Sequence, residues 1–182
     1  MRSARVLTLA GAAAAAVAVA GSAAAVTPVT PDPVAPALTS TLKQLKAKTK
    51  LPVLLPSELP VFREGKKPLY PTIGADAKSY AVTLGLVPDC GANVCSVGYL
   101  YALRTKKFPS AAQGKYKVKL RKGATGRYQP LSCGASCTPP TITFRSAGVN
   151  YSYSLKLDIK RPDTDRSVLT KLANQALAAG PR

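Results

Sequence analysis

Residues 141–157 read TITFRSAGVNYSYSLKL, and their alternation decides the fold class. In the second half, Val149, Tyr151, Tyr153, Leu155 and Leu157 fall on one side of an extended chain. Asn150, Ser152, Ser154 and Lys156 fall on the other. A period of two with one apolar side marks a strand in an antiparallel sheet that buries a single face. Thr141 to Phe144 supplies the partner arm of a hairpin, turned around Ala147-Gly148.

The same period recurs upstream. Tyr80, Val82, Leu84 and Leu86 alternate with Ala81, Thr83 and Gly85. Ser96 to Arg104 reads as a second strand with Val97, Tyr99 and Tyr101 on one face, expected to be buried with the tyrosine hydroxyls at its rim. Lys115 to Lys122 is a third. It sets Lys115, Lys117, Lys119 and Arg121 against Tyr116, Val118 and Leu120, and Tyr116 is assigned to the core. Gly123 to Gly126 then turns the chain into Arg127 to Leu131.

Helical signals bracket these strands. At the C-terminal end Val168, Leu169, Leu172, Ala176 and Leu177 form a helical stripe. Asp163 or Asp165 is the expected cap and Gly180-Pro181 the stop. At the N-terminal end Leu38, Leu42 and Leu45 share one face of a short helix, capped by Thr39 or Ser40 and basic elsewhere through Lys43, Lys46, Lys48 and Lys50. Leu51 to Pro60 is apolar but holds Pro52, Pro56 and Pro60, which suits an edge strand or an extended packed segment. The expected fold is α+β: a meandering antiparallel sheet of five to six strands, with a short N-terminal helix and a C-terminal helix packed on one face.

The first 25 residues carry an address. Arg2 and Arg5 precede the apolar run Val6 to Ala20, and Ala23-Ala24-Ala25 offers small residues at a cleavage site. This is the layout of a Sec-type secretory signal peptide, with the preferred cut after Ala25 and a weaker one after Ala20. An uncleaved anchor would need about 20 strongly apolar residues, and this run is shorter and mostly alanine. The expected domains are residues 1–25 as signal peptide, 26–37 as a linker rich in proline (Pro28, Pro31, Pro33, Pro36), and 38–182 as one globular domain. Secreted or extracytoplasmic residence follows, with no membrane-spanning segment after cleavage.

The formal net charge is +18, and it becomes +16 once Arg2 and Arg5 leave with the signal. Such a charge attracts polyanions and says nothing about fold. Outside a bacterial cell these are wall teichoic acids, anionic lipid head groups, lipopolysaccharide and free DNA.

Four cysteines in an exported chain imply two disulfides. Of the three connectivities, the local pairs Cys90–Cys95 and Cys133–Cys137 are favoured, because each pair lies in one glycine-containing loop. The spacings fit zinc knuckles poorly, and no Cys-x-x-Cys redox motif is present.

The chain contains no histidine. This removes the Ser-His-Asp triad, the Cys-His dyad and histidine metal sites. Asp158, Asp163 and Asp165 flank a helix start, where carboxylates offset the helix dipole, and they form no calcium loop. Glu58 and Glu64 are candidates for a glycosidase pair only in the sense that two carboxylates exist. Ser40-Thr41-Leu42-Lys43 matches the Ser-x-x-Lys of serine β-lactamases and penicillin-binding proteins, but Ser-Asp-Asn and Lys-Thr-Gly partners are missing. No cofactor or metal is expected.

Three segments together resemble a known pattern: Leu51-Pro-Val-Leu-Leu-Pro-Ser-Glu-Leu-Pro60, the Pro140 to Ser154 hairpin with its tyrosines, and Val168-Leu-Thr-Lys-Leu-Ala-Asn174. They are similar to bacterial exported sheet-and-helix domains of the type attached to anti-sigma-factor-like membrane proteins. The resemblance covers about a third of the chain and implies an extracytoplasmic sensing or ligand-binding domain without catalytic residues. This chain departs from it in its disulfide loops and in having no spanning helix after the signal.

The sequence thus points to a non-enzymatic, exported binding or cell-envelope-associated protein. Its contact residues are Lys115, Lys117, Lys119 and Arg121, and its partners are anionic envelope polymers or lipid head groups. Nucleic acid is disfavoured, because the lysines and Tyr116 alternate to opposite faces. The alternatives are an exported serine/lysine hydrolase built on Ser40 and Lys43, or an inhibitor of a partner enzyme. Oligomeric state is not encoded in any pattern found.

Overall fold

The structure is a computed structural model, and it describes residues 33–60, 68–91, 94–107, 114–156 and 162–182. The signal peptide, residues 26–32 of the linker, Glu64, Leu157, Asp158 and the side chain of Asp163 lie outside the described residues.

Val34 and Ala35 are already buried, and the Ala35 N–H bonds to the Pro56 carbonyl at 3.0 Å. Pro36 opens a single 3₁₀ turn that runs into α1 (Thr39–Lys48). This turn replaces the expected cap: the Thr39 N–H bonds to the Pro36 carbonyl, Leu38 holds the N-cap position, and no side chain caps the helix. Ser40 therefore does not serve as the cap.

Strands β1 (Tyr70–Ala75), β2 (Ser79–Gly85), β3 (Ser96–Arg104), β4 (Tyr116–Lys119) and β5 (Thr125–Gln129) follow. A two-stranded ribbon, β6 (Ser132–Cys133) and β7 (Cys137–Thr138), precedes the hairpin of β8 (Thr141–Ser146) and β9 (Val149–Leu155). The C-terminal helix α2 spans Pro162–Ala179. Gly180 ends it with φ of 77° and an N–H to Ala176 carbonyl bond of 3.1 Å, a left-handed position that glycine adopts at no steric cost.

The α+β architecture and antiparallel sheet hold, but among the described residues the main sheet has seven strands, in the order β1-β2-β3-β9-β8-β5-β4. Two meanders meet at the centre, where β3 pairs with β9, so the sheet is not one continuous meander. The additional strand β1 contains Pro71 and Gly74, which hide it from a propensity reading.

One face of the sheet carries the core. Tyr80, Ala102, Tyr151 and Phe144 lie in one row across four strands, and Val82, Leu100, Tyr153, Ile142 and Tyr128 in the next. All nine are buried. Helix α2 crosses β8 and β9 with Leu169, Leu172, Ala173, Ala176 and Leu177 inward, and α1 lies beside β1. Leu51, Val53, Leu54 and Leu55 cover the same face as an extended packed segment rather than as a strand. The Tyr151 hydroxyl donates to the Pro52 carbonyl at 2.8 Å, which ties this segment to the sheet.

Tyr99 and Tyr101 are not in the core. The register slips between Leu84 and Gly85, so that Leu84 faces Gly98 while Gly85 faces Ser96. This bulge inserts Val97 and resets the alternation. Val97 is buried, whereas Tyr99 and Tyr101 stand on the opposite, open face and Tyr99 is 39% exposed. Asp165 is likewise not a cap. Helix α2 starts at Pro162, a residue suited to the first helical position, so Asp165 falls inside the first turn and is buried.

Both expected disulfides are present, Cys90–Cys95 and Cys133–Cys137, and no free cysteine remains. Among the described residues no helix is long and apolar enough to cross a membrane, and no cluster of His, Cys, Asp or Glu could hold a metal.

Candidate functional site

β4 is an edge strand, and its alternating lysines keep such an edge from pairing with another chain. Lys115, Lys117, Lys119 and Arg121 are all exposed, while Val118 and Leu120 are buried. The four cations do not share one strand face. Lys117 and Lys119 stand on the open face, and the strand ends at Lys119. A 3₁₀ turn at Arg121–Gly123 then swings Arg121 toward α2, with Lys122 and Gly123 both at positive φ. The Asn174 Oδ1 accepts from the Arg121 N–H at 2.7 Å, and Lys122 Nζ donates to the Ala178 carbonyl at 3.4 Å. The turn is thereby fastened to the helix.

Tyr116 is 42% exposed, against its expected place in the core. It does lie on the core side of β4, but an edge strand has no neighbour on its outer flank. Its ring packs on the buried Tyr128, with centroids 6.4 Å apart. Lys115 Nζ and the Arg166 guanidinium lie 5.5 and 5.8 Å from the ring centre, within cation–π range. Arg166 also donates to the Lys117 carbonyl at 3.2 Å.

The alternation of β4 alone does not reveal Arg127 and Arg166, which the fold brings to the same edge. Lys117 sits directly opposite Arg127 across β4 and β5, an arrangement of like charges that is unfavourable in a bare sheet. Arg127 directs one nitrogen to the Gly114 carbonyl at 3.4 Å. No Asp or Glu occurs anywhere in residues 90–157, and none of the described strands, β1 and β2 included, carries an acid. The signal was available in the sequence as this acid-free run.

Two of the described acids elsewhere have structural roles. Asp76 accepts from the N–H groups of Lys78 and Ser79 at 2.7 and 2.6 Å, and these bonds hold its carboxyl below the usual range. Glu58 pairs with Lys171 at 3.0 Å and accepts from Gln175 at 3.1 Å. The Lys171 hydrogen bond and charge, then Gln175, lower its pKa.

Beyond Arg121 the basic edge runs into a groove of about 540 Å³ along the outer side of α2. Ser57, Arg121, Ser167, Thr170, Lys171 and Asn174 line it. Its walls carry hydroxyls, amides and cations beside the apolar Ala178, with no aromatic ring.

Ser40 and Lys43 are both exposed on the first turn of α1, far along the fold from this edge, and Thr41 between them is buried. Ser40 borders a second shallow groove with Gln44, Lys48, Tyr70 and Asp89. No protein-family model, curated protein or solved structure matches this chain.

Proposed function

We propose that the chain is a non-enzymatic, exported binding protein that engages anionic polymers of the cell envelope along the outer edge of β4. Lys115, Lys117, Lys119 and Arg121 make the contacts, with Arg127 and Arg166 beside them. The observation that carries this reading is the direct pairing of Lys117 with Arg127 in a sheet whose described strands hold no acid. Opposed cations that cost stability in the free protein are offset when an anion bridges them. The two disulfides agree with residence in an oxidising, extracytoplasmic compartment.

The test is titration of the mature chain with polyphosphate over a series of salt concentrations. Affinity is expected to fall linearly on a log–log plot, because each cation that neutralises a phosphate releases a counterion. Replacing Lys115, Lys117, Lys119 and Arg121 together with Glu should remove most binding at low salt. Binding that ignores salt, or that survives the fourfold change, overturns the reading.

A further inference from the structure

The polar groove beside α2 stands at one end of the basic edge, and Arg121 belongs to both. We infer that this groove is a saccharide subsite, so that the polymer held by the edge is an anionic glycan. The inference rests on the reading above and narrows its ligand.

The composition of the walls argues for it. Ser57, Ser167 and Thr170 present hydroxyls, Asn174 an amide, and Arg121 and Lys171 positive charge. A polyhydroxylated ring bearing a carboxylate or phosphate matches each of these groups. A nucleobase is held chiefly by stacking on an aromatic face, and no aromatic side chain lines the groove. A lipid head group would require exposed apolar residues beside it to enter the bilayer. The exposed large apolar residues of the described chain are Tyr70, Val87, Val94, Tyr99 and Tyr116, and none lines the groove.

The walls are also held in place before any ligand arrives. The Asn174 carbonyl oxygen is engaged by the Arg121 N–H, which leaves the amide nitrogen to donate. Thr170 Oγ1 donates to the Arg166 carbonyl at 2.6 Å and keeps its lone pairs for a ligand hydroxyl. Lys171 is shared with Glu58, with both side chains more than 65% exposed at 69% and 67%. An anionic sugar therefore competes with Glu58 for the ammonium, and a neutral one does not.

Isothermal titration of the mature chain with polygalacturonate, dextran and polyphosphate tests this at about 0.15 M salt and again at about 0.5 M. Polygalacturonate is expected to stay bound at the higher salt while polyphosphate is released, and dextran to bind weakly at both. Ser167→Leu, which fills the groove from an exposed position, should weaken polygalacturonate about tenfold and leave polyphosphate unchanged. Glu58→Gln should strengthen polygalacturonate and leave dextran unchanged. Equal salt sensitivity of the two polyanions, with neither variant separating them, overturns the subsite while leaving the polyanion reading intact. Phosphatidylglycerol vesicles or single-stranded DNA binding more tightly than polygalacturonate overturns it in favour of a lipid or nucleic-acid ligand. Loss of all polyanion binding overturns both readings.

Discussion

Tyr80 and Leu54 are joined through both polar groups of the Leu54 backbone. The Tyr80 hydroxyl accepts from the Leu54 N–H and donates to the Leu54 carbonyl, each at 3.1 Å. The Tyr153 hydroxyl donates to the same carbonyl at 3.1 Å. An extended segment broken by prolines has no strand partner for its backbone, and these hydroxyls serve instead. Tyr80→Phe should destabilise by about 1–3 kcal/mol, since it strands a buried N–H. Tyr153→Phe leaves the carbonyl bonded to Tyr80 and should cost less, about 1 kcal/mol. Urea midpoints of the two variants check the order. Equal losses would show that the Leu54 N–H has another partner.

The same tyrosines set the alkaline limit. Burial pushes Tyr80, Tyr151 and Tyr153 well above the ordinary tyrosine value, and the neighbouring tyrosines raise Tyr80 and Tyr153 further. A folded-state pKa above the unfolded one means that the native state keeps protons the unfolded state has lost. Stability from these groups is fully present below pH about 10 and declines as pH rises beyond it. Denaturant midpoints measured from pH 8 to 11.5, roughly spanning that value, should be flat and then fall. The fall should be shallower in Tyr151→Phe.

Gly98 sits where β3 passes β9. A Cβ there would press on the Ser154 carbonyl oxygen, with Leu155 Cδ2 at 2.6 Å. The obstruction includes backbone, so it cannot rotate away. Gly98→Ala should cost more than about 2 kcal/mol, the range of overpacked cores, and thermal unfolding reads it. Gly148→Ala meets nothing within 4 Å and separates this steric cost from the φ cost at 75°.

The two disulfides differ in burial. Cys90 is buried, and its Cβ lies 2.6 Å from where a Gly85 side chain would begin. Cys133 and Cys137 are exposed on the β6–β7 ribbon. Loop entropy alone gives about 2 kcal/mol for closures this short. Serine replacement of the Cys90–Cys95 pair should lower the melting temperature by more than replacement of Cys133–Cys137. Scanning calorimetry on both double variants decides it.

The sheet and both helices were legible in the sequence because Tyr80 to Leu84, Val149 to Leu155 and Leu169 to Leu177 keep a strict period on one buried face. The misplaced residues fall where a long-range pairing breaks that period. Tyr99 and Tyr101 follow a bulge that only the β2 partner imposes. Tyr116 has core-side parity yet lies exposed, because nothing in Lys115 to Lys122 tells which strand ends the sheet. Arg121 leaves its strand face because Asn174, fifty-three residues on, captures its N–H. The lysines of the candidate site were therefore readable; Arg127 was signalled only by the acid-free run that contains it, and Arg166, outside that run, was not signalled at all.

Lys117 and Arg127 allow stability and binding to be set against each other. If the pairing were an accident of a solubilising surface, Lys117→Glu would only replace a repulsion with an attraction across β4 and β5. The variant should then be more stable, by roughly a few tenths of a kcal/mol to 1 kcal/mol, with no loss elsewhere. If the pair grips an anion, the same change gains stability and loses affinity together. We expect a higher urea midpoint, polyphosphate binding reduced about tenfold, and a shallower salt dependence, because one to two fewer counterions are released. Arg127→Ala should also lower affinity but without the gain from a new ion pair. A Lys117→Glu protein that is stabilised yet binds polyphosphate as before would show the edge to be a guard against strand pairing and nothing more.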